Sequence, residues 1–268
     1  MSIITLTTDF GGRGPFVGIL KGVILGINPD AKIVDLCNDV QPQNIFEASL
    51  FLSMSYKYFP PGSIHLAVVD PAVGTSQRPI IVTTDNHYFI GPDNGIFSHI
   101  YREPHEIFTV RHLTAEHYFL SNIGTTFHGR DVYAPLAAWF SRGIDSASLG
   151  DVITDYVSFP INDPKKATKT TMEGEVTYID TFGNAITNFN KIHLNELYAT
   201  VPNGKFRIMC KGKQFGLLKH YAQAKEGEPA ALINSFGFVE LFIFKSNVAR
   251  LLALKPTDKV GIMITQGQ

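Results

Sequence analysis

Cysteine is scarce in this sequence: Cys37 and Cys210 are the only two in 268 residues. They stand too far apart to form a clustered metal site, and they read as ordinary cytosolic thiols. Charge of one sign is also missing. Lys and Arg number 23 against 24 Asp and Glu, and the formal net charge is -1. No basic tract interrupts that balance, so nucleic acid is not an expected partner, because a polyanion calls for a basic footprint. No apolar run approaches the roughly 20 residues needed to cross a bilayer. The opening "MSIITLTTDF" reaches Asp9 without a basic segment or a long apolar core, so a secretory leader is not expected and the compartment is expected to be the cytoplasm. Several signatures are absent as well. No GxxxxGK[ST] occurs, and "DFGGRG" does not fit GxGxxG. The "DFG" at residues 9–11 has no kinase context around it. There is no HExxH, and His128 with Asp131 three residues on is too little for a metal site, so no metal and no cofactor is expected.

What is present is the composition of a globular protein, with 44% hydrophobic and 18% charged residues. The length suits one α/β domain and a smaller companion. Residues 3–8, "IITLTT", read as a buried strand, and "FVGILKGVILGI" at 16–27 carries helical spacing after Pro15. "AKIVDLC" reads as a second strand. "NIFEASLFLSMSYKYF" at 44–59 reads as one helix stopped by "PPG". "SIHLAVVD" at 63–70 is apolar almost throughout, as a central parallel strand should be. "PIIVTTDNHYFIGPDNG" predicts a hairpin turning at Asp85–Asn86, "FTVRHL" a further strand, and residues 129–141 a helix. "FPINDPKKATKT" reads as a linker. The short apolar segments beyond it predict a mostly β domain. The expected organisation is an α/β domain over 1–160, a linker over 161–171 and a smaller β domain over 172–268, with no internal repeat.

Polar residues collect where strands end. Asp9 follows "TLTT", Asp70 follows "IHLAVV", and Asp93 and Asn94 follow "YFIGP". Ligands of parallel α/β sheets sit outside the carboxyl ends of strands, which makes Asp9 and Asp70 site candidates. Each also reads as a helix cap or an Asx-turn. The loop "DPAVGTSQRP" at 70–79 adds hydroxyls and Arg78. "TTFHGRD" at 125–131 sets a histidine, an arginine and an aspartate within four residues, either for chemistry or to hold a turn. "YIDTFGNAITN" at 178–188 places Phe182 on a turn between Asp180 and Asn184. An aromatic beside an amide offers a nucleoside seat, since an amide pairs with a purine edge. A plain turn between strands is the competing reading. "NSFGF" at 234–238 repeats the theme and could bring a second ring to the same ligand. Most of the 20 phenylalanines and 10 tyrosines belong to the core, and a few are expected to line a pocket for a flat ligand.

Six segments in order, "TLTTDFG" (5–11), "VVDPAVGT" (68–75), "YFIGPDNG" (88–95), "TFHGRDVYAPLAA" (126–138), "IDTFGNAITN" (179–188) and "NSFGFVE" (234–240), resemble the SAM hydroxide adenosyltransferases, relatives of the fluorinase and chlorinase. The resemblance implies an α/β N-terminal domain with a largely parallel sheet, followed by a C-terminal β-barrel. It implies a homotrimer whose active sites lie between subunits, with no nucleic acid or membrane as partner. It implies cleavage of S-adenosylmethionine by water to adenosine and L-methionine, the methionine leaving C5′ as a neutral thioether. Asp70 and His128 match the family's catalytic aspartate and histidine, Asp9 its ribose-binding aspartate, and Asn184 and Phe182 its adenine-binding pair. Phe10, Asp180, Ser235 and Phe236 complete the expected substrate-binding set. Four departures stand out. Gln77 occupies the family's catalytic arginine position, with Arg78 next to it, and Ala72 replaces a glycine. "RGP" at 13–15 stands for the usual "KDP", and Asn38 for a histidine. His128 and Asp70 are expected to position the water and take its proton, with Asp70 orienting the ring. Arg78, or Gln77 by a hydrogen bond, is expected to fix the polar side of the site. The short stretch 96–108, where the fluorinase carries an added loop, favours water over halide. An adenosine-binding protein without turnover is the alternative of another class.

Overall fold

The computed structural model describes residues 3–266, which form two compact units dividing between Ile161 and Asn162. The first unit is built on six strands: β1 (Ile3–Thr8), β2 (Lys32–Cys37), β3 (Ser63–Val68), β4 (Pro79–Thr84), β5 (His87–Pro92) and β6 (Phe108–His112). Their order across the sheet is β2-β1-β3-β5-β4-β6. β1 runs parallel to β2 and β3, and β3 parallel to β5, while β4 is antiparallel to β5 and β6. β3 is central and every residue of it is buried, which is why its sequence is apolar almost throughout. The two-residue turn expected at Asp85–Asn86 does join β4 to β5, with Thr83 opposite Tyr88.

The sheet separates two cores. On one face Ile64, Leu66 and Val68 of β3 pack with Leu20 and Ile24 of α1 (Phe16–Ile27). Leu20 and Ile24 lie one helical turn apart and are fully buried, each contributing about 1.5–3 kcal/mol of apolar burial. On the other face Ala67 and Val69 pack with Ala48 and Leu52 of α2 (Ile45–Ser55). The side chain of Asn44 caps α2 by accepting from the Glu47 N–H. The single helix expected over 44–59 stops at Ser55. A 3-10 turn takes Tyr56–Tyr58 because the chain must leave the helix before Pro60. Short α3 (Ser98–Tyr101) and α4 (Ala134–Ser141) complete the unit. The helix expected over 129–141 begins as a π-turn over Gly129–Tyr133, closed by the Ala134 N–H on the Gly129 carbonyl.

The second unit is a closed barrel. β8 (Thr171–Ile179), β9 (Ala185–Asn190), β10 (Lys205–Cys210), β11 (Lys213–Leu217), β12 (Pro229–Ile233), β13 (Phe238–Ile243) and β14 (Lys259–Thr265) form a ring. The β14–β8 pairing closes it, with Val260 opposite Gly174. β7 (Lys165–Lys166), inside the expected linker, pairs with the outside of the ring on β8. Phe189, Phe215, Leu241 and Ile262 fill the interior. Two helices interrupt the barrel, α5 (Lys191–Thr200) and α6 (Val248–Leu252). α5 starts in a capping box, with the Asn190 side chain accepting from the Ile192 and His193 N–H groups.

Candidate active site

β1 and β3 are parallel neighbours, with Thr8 opposite Val68. Their carboxyl ends therefore deliver Asp9 and Asp70 to the same edge of the sheet. The segment leading into the π-turn supplies a third wall. Together they bound a cleft of about 390 Å³ whose lining includes Asp9, Phe10, Asp70, Phe127 and His128. Gly74 joins two of the walls. Its φ is 84°, and a Cβ there would sit 2.3 Å from the Thr125 carbonyl oxygen. Only glycine lets the 70–78 loop approach the 125–127 segment so closely.

The question raised by "TTFHGRD" has a divided answer. Asp131 is fully buried and structural. It accepts from the Gly124 N–H at 2.8 Å and from Arg130 Nε and Nη2 at 2.6 and 3.0 Å. Burial works against its charge, but these donors outweigh it and hold its carboxyl below the ordinary range. The Arg130 guanidinium also lies 5.4 Å from the centre of the Phe127 ring. His128 faces the cleft, and its ring hydrogen-bonds no other described residue.

Asp70 lines the same cleft. Oδ1 accepts from Gln77 Nε2 at 2.6 Å, while Oδ2 is buried with no partner among the described residues. An orphaned buried acceptor lining a cleft is a place for a donor from a ligand or a water. Burial raises the Asp70 pKa above its ordinary value, opposed by Gln77, the Ala72 N–H, His128 and Tyr133. No hydrogen bond joins Asp70 to His128; the imidazole acts on the carboxyl through the field across the cleft. Arg78 points away. Its guanidinium holds Asp93 at 2.6 and 3.0 Å and Asp155 at 2.9 Å, so the polar group on Asp70 is Gln77. Asp93 thereby anchors a loop, and Asn94 does the same through the Val69 carbonyl.

Asp9 Oδ2 accepts from the Gln43 N–H at 2.9 Å, and Gln43 adopts a φ of 65° to make that contact. Phe10, Phe16 and Phe127 pack on one another with ring centres 5.4–5.8 Å apart and make the apolar wall. Phe16, Phe127 and Gln43 were not singled out from the sequence, although Phe16 and Phe127 lie inside segments that were and Gln43 adjoins one.

In the barrel unit Asp180 organises its turn. Oδ1 accepts from the Phe182 and Asn184 N–H groups at 2.9 and 2.8 Å, and Oδ2 from Asn184 Nδ2 at 3.0 Å. Phe182 is left 76% exposed. Asn234 builds a second turn of the same kind, accepting from the Phe236 and Phe238 N–H groups. Ser235 and Phe236 are exposed on it. The second ring expected from the similar sequence, Phe236, does not stand beside Phe182 in the barrel. The two turns begin β9 and β13, which pair antiparallel with Phe238 opposite Asn190 and Leu241 opposite Ala185, so they stand at opposite ends of that pair. Among the described residues, no group of three or more His, Cys, Asp or Glu side chains is placed to hold a metal ion. Nor is any helix long and apolar enough to cross a membrane.

An α/β unit with a carboxylate–imidazole cleft, followed by a β-barrel that exposes an aromatic beside an amide, defines a two-domain class of proteins. Residues 4–150 match the SAM hydroxide adenosyltransferase N-terminal domain, and residues 174–261 match the C-terminal domain. The chain belongs to that family. It is 36% identical to the (R)-S-adenosyl-L-methionine hydrolase of Methanocaldococcus jannaschii, over 98% of this chain and 96% of that protein. It is 26% identical to the fluorinase of Nocardia brasiliensis, over 98% and 95% of the two chains. Among solved structures, an uncharacterized conserved protein from Thermotoga maritima superposes with a TM-score of 0.88 at 32% identity, covering 97% of this chain and 99% of that one.

Proposed function

We propose that this protein is an enzyme that hydrolyses S-adenosyl-L-methionine to adenosine and L-methionine, acting on the (R)-sulfonium epimer named for its relatives. The observation that carries this reading is the end-to-end match to a protein of that name. Water attacks ribose C5′ in line with the C5′–S bond. Its oxygen becomes the 5′-hydroxyl, the C5′–S electron pair leaves on sulfur, and one proton is released. Methionine departs as a neutral thioether, so the leaving group needs no acid and the reaction needs no cofactor. Water needs orientation and a proton acceptor. Asp70 Oδ2, buried and unpartnered, accepts that proton, and His128 faces the same cleft as second acceptor. Gln77 holds Asp70 and is too weak a base to take the proton itself. Arg78 serves the loop instead. Asp9 binds the ribose hydroxyls, with Phe10 beside it, and Phe182, Asn184 and Asp180 seat the adenine. Ser235 and Phe236 belong to a separate part of the same extended substrate.

We further propose a cytoplasmic homotrimer with each site shared between the α/β unit of one subunit and the barrel of its neighbour. The exposed Phe182 supports this, since an aromatic held so far out of its own unit has a surface to give to something else.

The test is incubation of the purified protein with each sulfonium epimer in ¹⁸O-labelled water, with and without chloride, followed by mass spectrometry. Adenosine carrying one ¹⁸O, together with unlabelled methionine, is expected from the (R) epimer in both buffers. A 5′-chloro product, or bound substrate with no adenosine, overturns the reading.

A further inference from the structure

Glu240 places a carboxylate among apolar neighbours. It lies on β13, opposite Leu232 of β12 and Ile186 of β9. Val239, Leu241 and Ile243 fill the barrel interior, so by strand alternation Glu240 and Phe242 face outward. There Phe242 and Leu232 pack with Leu218 and Ala224, and Glu240 is only 3% exposed. A charge so placed is costly unless donors meet it. Two do. The Tyr221 hydroxyl donates to Oε1 at 2.6 Å, and Asn234 Nδ2 donates to Oε2 at 3.2 Å. The Tyr221 ring stands edge-on to Phe242 with centres 4.9 Å apart, which steadies the hydroxyl. Burial raises the Glu240 pKa, the two donors oppose this, and the Asp180 charge adds to it.

Asn234 folds the turn that carries Ser235 and Phe236. Its Oδ1 accepts from the Phe236 and Phe238 N–H groups at 3.0 and 3.1 Å. An amide has two different ends, and only its oxygen can serve those donors. A carboxylate accepts and cannot donate, so Glu240 takes the nitrogen and leaves the oxygen to the turn. Asp180 needs no such partner in its own turn, because both ends of its side chain are oxygen. We propose that Glu240 is a positioning residue for substrate binding, which fixes the Asn234 amide, and through it the Ser235–Phe236 turn, without touching substrate itself. This rests on the reading above, in which Ser235 and Phe236 hold a part of S-adenosylmethionine other than the adenine. A glutamate that served only the stability of the barrel would leave substrate affinity alone.

Glu240→Leu deletes the acceptor and suits the apolar surroundings, so the fold should be kept. The expected result is a KM for S-adenosylmethionine about five- to twentyfold higher, the worth of one lost hydrogen bond to a charged group. kcat should stay within about twofold, because binding and not the chemical step is affected. Adenosine, which lacks the part held by this turn, should bind within about twofold of wild type by calorimetry. Glu240→Gln keeps an oxygen for Asn234 Nδ2 and turns its amide nitrogen to the Tyr221 hydroxyl, so its KM should stay within about threefold of wild type. An unchanged KM in Glu240→Leu overturns the proposal, as does an equal rise in Glu240→Gln or an equal loss of adenosine binding. If Glu240→Leu does not fold, Tyr221→Phe replaces it. That ring is exposed, and loss of its hydroxyl should loosen Glu240 and raise KM about two- to fivefold; an unchanged KM there overturns the proposal. If the wild-type protein does not hydrolyse S-adenosylmethionine, the substrate reading fails separately, and hydrogen exchange tests the positioning alone. The Phe236 and Phe238 N–H groups should exchange about tenfold faster in Glu240→Leu and at the wild-type rate in Glu240→Gln. Equal rates in all three proteins overturn it.

Discussion

Replacing Asp131 separates architecture from chemistry in the "HGRD" segment. The carboxylate is fully buried and accepts from the Gly124 N–H at 2.8 Å on one side and from Arg130 on the other. Asp131→Ala leaves the Gly124 N–H without its partner, at a cost of about 1–3 kcal/mol. Arg130 can turn to water, so its share is not added. At roughly 2–4 °C per kcal/mol for a unit of this size, the melting temperature should fall by about 2–12 °C. The functional consequence follows from position. Gly124 begins the segment that carries Phe127 and His128 into the cleft, so freeing it should lower kcat more than it raises KM. Asp131→Asn keeps an acceptor for the Gly124 N–H and should recover most of the stability. The assay is thermal unfolding by circular dichroism beside turnover of S-adenosylmethionine. Equal melting temperatures for wild type and Asp131→Ala would refute the reasoning, because the buried bond would then carry no weight.

Two further outcomes are expected. His65 is fully buried in β3, between Thr5 at 2.9 Å and His87 at 3.2 Å, and burial together with His87 pushes its pKa from an ordinary 6.5 down to about 3. The folded chain thus binds fewer protons there than the unfolded chain between those two values, so stability should fall as pH drops through the window, by up to about 1.4 kcal/mol per pH unit. Urea titrations at several pH values check this: the slope should be shallower in His65→Gln, and an equal slope would remove His65 as the cause. Phe182→Ala should weaken adenosine binding by calorimetry about 5- to 150-fold, the worth of stacking one base on a ring, with little change in melting temperature because the ring is exposed. An unchanged affinity would take Phe182 out of the seat.

Much of this was legible where the signal is local. The continuous apolar run of β3 announced a central strand, and Asp85–Asn86 announced the hairpin between β4 and β5. Asp9 and Asp70 were legible as strand-end residues, and the parallel pairing of β1 and β3 brings them together. What stayed hidden depends on partners far along the chain. Arg78 follows Gln77 directly, yet its direction is set by Asp155, 77 residues on. α5 buries only Leu194 and Leu197, too few apolar positions for a helical period to stand out. Closure of the barrel lies in the pairing of its first and last ring strands, which no local pattern encodes. Phe182 and Phe236 sit in similar motifs, but strand direction, invisible in either motif, puts them at opposite ends of β9 and β13.

The departure at Gln77 also bears on which nucleophile the cleft accepts. Asp9 and Asp70 both line it, and no lysine or arginine does among the described residues. S-adenosylmethionine brings a sulfonium cation, which such a cleft attracts. A carboxylate about 4 Å from that charge contributes on the order of 1–4 kcal/mol, depending on how much water remains. A halide brings the opposite charge and meets the same carboxylates as a penalty of similar size. Water is neutral as it enters and becomes negative only as it gives up its proton, so it avoids that penalty until then. An arginine at position 77 would offset one carboxylate and narrow the difference between the two nucleophiles. With glutamine there, bonded to Asp70 without adding charge, the electrostatics of the cleft favour the cationic substrate and the neutral nucleophile together.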